Sequence, residues 1–150
     1  MRKLIAILSP LFLLIACDDS PVFPLEPEIG FISITPEQTT QFTADEITLT
    51  ISYQDGDGDL GYEGTEKINN LFVTDTRAFF AGNPAIVASY SIPSLTPDTR
   101  KPSIQGEISI SITTPPAEPN AEPLVYEVYM VDRAGNISNV VSTDPIIVNP

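Results

Sequence analysis

Asp55-Gly56-Asp57-Gly58-Asp59-Leu60-Gly61 places three carboxylates and three glycines in one short run, and Gly64 follows closely. Carboxylates two positions apart repel unless something positive lies among them. The interleaved glycines let the backbone curl so that the acids converge. Oxygens at alternate positions suit a hard cation, Ca²⁺ above all. Counting Asp55 as position one puts Asp57 at three, Asp59 at five, the carbonyl of Gly61 at seven, Glu63 at nine and Glu66 at twelve. Those six residues are the candidate metal ligands. The plain alternative is a solvated acidic turn without an ion.

That register resembles an EF-hand loop, with two departures. Leu60 stands at position six, where the EF-hand needs Gly for a sharp turn. The flanking sequence alternates like strands and not like helices. The match out to Glu66 is therefore open to coincidence, and the three aspartates compare better with Ca²⁺ loops of extracellular repeat modules.

Other chemistry is limited by composition. The 150 residues include no His, no Trp and a single Cys. Ser-His-Asp and Cys-His catalysis and imidazole zinc sites are excluded. Carboxylate-pair hydrolysis is compositionally open, but a small β-domain offers little cleft, and without Trp it lacks the usual sugar-stacking platform. Lys67 and Lys101 do not lie in a Ser-x-x-Lys motif. The expectation is a protein that is not an enzyme. Seven basic residues against 20 acidic ones, a formal charge of −13, argue against nucleic acid as a partner.

The elements that must position the acidic loop read as strands. Ile47, Leu49, Ile51 and Tyr53 alternate with polar residues, as do Ile104, Ile108, Ile110 and Ile112, with Gly106 in the apolar register. Ile86 to Ile92 and Leu124 to Met130 repeat the pattern, and weaker strands fit 30–35, 70–76 and 140–148. Fifteen prolines argue against a helical bundle. The fold class expected is all-β, an immunoglobulin-like antiparallel β-sandwich of about seven strands. If Ile47–Gln54 is its strand B and Tyr126–Val131 its strand F, the B–C and F–G loops share a pole. Asp132 or Asn136 would then stand beside the acids and complete the coordination, unless Asp132 only caps its own turn, the reading we favour at this point.

The run Tyr126-Glu127-Val128-Tyr129-Met130-Val131-Asp132-Arg133-Ala134-Gly135-Asn136-Ile137-Ser138 resembles the F strand and F–G turn of bacterial immunoglobulin-like and fibronectin-III-like domains. Gly135-Asn136 suits a tight turn with positive φ, and Asp132 can cap it. The Cys and Trp of antibody-type domains are absent.

The N-terminus reads as an address. Arg2 and Lys3 precede the apolar stretch Leu4–Ala16, too short to span a bilayer. Leu14-Ile15-Ala16-Cys17 resembles the lipobox of bacterial lipoproteins, which implies cleavage before Cys17 and acylation (palmitate-type chains) of that Cys. Residues 1–16 would be signal peptide, 17–28 the lipidated Cys with a Pro-rich tether, and 29–150 the sandwich. Pro21, Pro24 and Pro27 recur every third residue and favour extended backbone. From Asp18 to Glu28, at ~3.1 Å per residue, the tether would hold the domain about 35 Å off the membrane. Asp18-Asp19 resembles the acidic surface-export run of Bacteroidota-type lipoproteins. It equally resembles an enterobacterial inner-membrane retention mark, or two solvated charges on a tether. The location expected is the outer membrane, lipid-anchored, facing the periplasm or the cell surface.

Three further features carry open readings. Phe79-Phe80 is either core and edge packing or an exposed partner site. Arg100-Lys101 is either a solubilising pair or a contact for an acidic partner. Thr114–Pro123 is either a stiff connection or a recognition loop. Taken with the lipobox and the acidic loop, the chain resembles a Bacteroidota-type outer-membrane lipoprotein with one immunoglobulin-like or fibronectin-III-like domain. The function expected is a calcium-stabilised interaction or structural module partnered with another envelope protein. The alternative is an accessory glycan-capture lipoprotein, and the third reading a small hydrolase.

Overall fold

The computed structural model describes residues 22–41, 43, 46–65, 67–77, 86–96, 103–117 and 123–150. Cys17 and the leader, Glu66, Phe79-Phe80, Arg100-Lys101 and residues 118–122 lie outside them.

Nine strands form among the described residues: β1 Glu28–Thr35, β2 Gln38–Thr40, β3 Glu46–Asp55, β4 Leu71–Asp75, β5 Ile86–Tyr90, β6 Ile104–Thr113, β7 Tyr126–Met130, β8 Val141–Ser142 and β9 Ile147–Asn149. The molecule is all-β. A three-stranded sheet has the order β1-β3-β6 and a four-stranded sheet the order β5-β4-β7-β8, all antiparallel. These two sheets account for the expected strands. The other two, β2 and β9, pair in parallel. The expected strand over 140–148 is split, because Asp144-Pro145 interrupts it and Pro has no N–H for a ladder. Its second half leaves β7 and pairs with β2.

Period-two patterning dictates the core. Ile47, Leu49 and Ile51 of β3 meet Ile108, Ile110 and Ile112 of β6 across matched register. Leu71 and Val73 of β4 and Tyr126, Val128 and Met130 of β7 supply the other sheet's inner face. Leu60, Leu124 and Ile146 close the ends. Each such side chain contributes about 1.5–3 kcal/mol by leaving water. Gly106 sits in the apolar register of β6 because its partner Tyr53 occupies the room: a Cβ there would come within 2.7 Å of the Tyr53 hydroxyl.

The loop after β3 and the loop after β7 lie at one pole, as the strand assignment required. Backbone hydrogen bonds tie them, Arg133 N donating to the Asp59 carbonyl at 3.3 Å. The N-terminal boundary falls earlier than expected. Glu28 already opens β1, Pro27 is buried, and Gly56 N donates to the Pro24 carbonyl at 2.8 Å. Phe23 and Pro24 thus pack on the acidic loop. The stretch from Cys17 to Phe23 reaches at most about 20 Å, shorter than the full Pro-rich run.

Candidate metal centre

Asp55 ends β3 and faces inward in the same alternation as Ile47, Leu49 and Ile51, so the strand itself delivers a carboxylate to the edge of the core. Asp55 Oδ2 accepts the N–H of Asp59 at 2.8 Å, which closes the loop on itself. Gly58 (φ +67°) and Gly61 (φ +80°) supply the left-handed turns that a side chain would resist. Asp59 Oδ2 in turn accepts the N–H of Ala134 at 3.1 Å, from the loop after β7. That second loop contributes Asp132. Asp132 Oδ1 accepts from Asn136 N and Oδ2 from Asn136 Nδ2, both at 2.7 Å, with Gly135 at φ +91° in the turn.

The result is a buried cluster of three acids. Asp55 is 0%, Asp59 4% and Asp132 1% exposed, and one carboxylate oxygen from each lies within 4.8 Å of the others. Asp55 Oδ1, Asp57 Oδ1 and Asp59 Oδ1 are buried and have no hydrogen-bond partner. An unpaired buried carboxylate oxygen is costly, and two of the three belong to residues of the converging cluster, Asp55 and Asp59. Burial, above all, holds Asp55 and Asp59 above the ordinary aspartate pKa, and the charges of Asp57 and Asp132 push the same way. Three buried carboxylates whose oxygens converge within 4.8 Å form an arrangement that can hold a metal ion.

The surroundings fix the loop from three sides. Tyr62 N donates to the Ile92 carbonyl at 3.1 Å, Ser94 N to the Tyr62 carbonyl at 2.9 Å and Leu95 N to the Leu60 carbonyl at 3.2 Å. Thr96 Oγ1 donates to the Gly58 carbonyl. Arg133 reaches across the pole, its Nη1 donating to the Gly61 carbonyl at 2.8 Å. On the third side Gly56 meets Pro24.

The sequence-derived ligand set is only partly brought together. Asp55, Asp59 and Asp132 converge, and Asp57 turns one buried oxygen free of partners. The Gly61 carbonyl is taken by the Arg133 guanidinium. Glu63 is exposed and does not join the cluster. Asn136 commits its amide nitrogen to Asp132. Glu66 lies outside the described residues. Among the described residues the acid cluster takes nothing from this loop beyond Asp59, and Gly61 turns the chain toward Tyr62 and the 92–95 segment. Asp132 caps its own turn and also lies within the acid cluster. Arg133 was read only as part of the turn motif. Its signal was available, as one of the few cations of an acidic chain adjacent to a predicted neighbour of the acid loop.

Comparison with family models, with curated proteins and with solved structures returned no match to this chain.

Proposed function

We propose that the chain is a lipid-anchored envelope module whose sandwich is braced at one pole by Ca²⁺. The observation that carries the calcium reading is the buried cluster of Asp55, Asp59 and Asp132, in which Asp55 and Asp59 each keep one oxygen without a hydrogen-bond partner. All-oxygen, multiply acidic coordination suits Ca²⁺ better than the softer transition metals. The ion would remove the repulsion among Asp55, Asp57, Asp59 and Asp132 and tie the end of β3 to the loop after β7. Binding in extracellular modules runs at about 10⁻⁴–10⁻³ M, so millimolar Ca²⁺ is the working range. The anchor reading rests on the leader and Cys17, and the partner is another envelope protein.

Melting curves in millimolar Ca²⁺ and in chelator test the reading. Ligand at about 100 times its dissociation constant adds about 2.7 kcal/mol, a rise of several degrees for a domain this size. Equal melting temperatures in the two conditions would remove calcium from the account. A second reading, glycan capture, draws on a groove of about 480 Å³ lined by Tyr62, Lys67, Asn69, Ser89 and Tyr90. Two tyrosines among amide, hydroxyl and ammonium groups form an amphipathic lining, and retardation in polysaccharide-containing gels would favour it.

A further inference from the structure

Gly56 lies between Asp55 and Asp57 and touches the segment that leads into the domain. Its N–H donates to the Pro24 carbonyl at 2.8 Å. A Cβ at position 56 would overlap the carbonyl oxygens of both Phe23 and Pro24. The entering chain is thus seated directly on the backbone of the acidic loop, and only a glycine permits that approach. Val22, just outside the contact, is almost fully exposed, and Leu25, just after it, is exposed too. Phe23 is half-buried and Pro27 buried, so apolar packing holds part of the segment. The rest of its hold is the shape of the loop beneath it.

We propose that the acid centre acts as a latch for the entering segment: Ca²⁺ among Asp55, Asp57, Asp59 and Asp132 fixes the loop in the form that grips Phe23-Pro24, and loss of the ion frees residues 22–27. The inference rests on the calcium reading and adds a consequence to it. Without a cation, the carboxylates on either side of Gly56 repel, and the peptide carrying the Gly56 N–H is the one their separation would rotate. With the ion in place the N–H stays aimed at Pro24. For a chain anchored at Cys17, the latched form stands off by at most about 20 Å and the released form by about 35 Å. Calcium would then set both the reach and the orientation of the sandwich relative to its anchor.

Limited chymotrypsin digestion of the full chain tests this, because Leu25 is exposed and precedes Glu26. Cleavage after Leu25 is read by mass spectrometry in calcium and in chelator, with circular dichroism showing the domain folded in both. The latch predicts at least about tenfold slower cleavage in calcium. It also predicts that Gly56→Ala stays rapidly cleaved in calcium while calorimetry still shows the ion bound. Should that variant not fold, hydrogen exchange of the Gly56 amide in the unaltered chain takes its place, slowed by calcium if the latch holds. Calcium binding with unchanged cleavage and unchanged Gly56 exchange overturns the latch and leaves the metal centre standing. Absence of calcium binding overturns both.

Discussion

Asp59 shows how much one side chain does here. One of its oxygens holds Ala134 of the opposite loop, and the other is buried without a partner. Asp59→Asn keeps an acceptor for Ala134 and removes the charge from the unpaired position. The variant should fold and lose most of its calcium-induced rise in melting temperature, checked by melts in calcium and chelator. Tyr126 gives a pH prediction away from the metal. Burial, chiefly, raises its phenol well above the ordinary value, with the charge of Asp75 adding to the effect and that of Arg77 opposing it. A raised pKa means that the fold favours the neutral phenol. That contribution is fully present below the unfolded value of about 10 and is lost as pH climbs from there toward the folded value. Stability should therefore fall on titration above pH ~10, and Tyr126→Phe should flatten that slope in alkaline melts.

At the level of elements, the last residue of β4 forms a buried ion pair with the chain just beyond the strand. Asp75 and Arg77 meet at 2.7 Å with both side chains buried, and the guanidinium also donates to the Pro116 carbonyl. Arg77→Leu strands a buried carboxylate and should cost about 3–5 kcal/mol in denaturant unfolding. Gly61 is a second sensitive point. It combines φ +80° with a site where a Cβ would overlap the Pro93 carbonyl. Gly61→Ala should lose at least about 1 kcal/mol from the left-handed conformation alone, measured the same way. The sequence made the long strands legible, since β3 and β6 alternate over ten residues each. It did not reveal β2, whose three residues carry too little pattern, nor the parallel pairing that Asp144-Pro145 permits. Asp55, Asp59 and Asp132 were legible as neighbours because strand alternation and sandwich topology placed two loops at one pole. Glu63 stands outside the acid cluster and the Gly61 carbonyl accepts from Arg133, because the chain turns at Gly61, which a linear ligand count cannot see. The seat of Pro24 on Gly56 had no signal, because contacts of irregular backbone have no periodicity.

Among the described residues, the two larger β-sheets close over an aliphatic core, and their loops gather negative charge at the end where residues 22–27 enter. The proposed anchoring at Cys17 belongs to this scale: if it holds, Cys17→Ser should shift the protein from the membrane fraction to a soluble or unprocessed pool and abolish incorporation of a labelled fatty acid. Whether the acid cluster takes up Ca²⁺ decides whether the crowded pole is a liability or a brace. Titration of Ca²⁺ into the metal-free full chain by isothermal calorimetry addresses that most directly. The account predicts saturable binding in or below the millimolar range, and at least about tenfold weaker binding in Asp55→Asn and Asp59→Asn. A flat titration to several millimolar Ca²⁺, or binding unchanged in both variants, would contradict it.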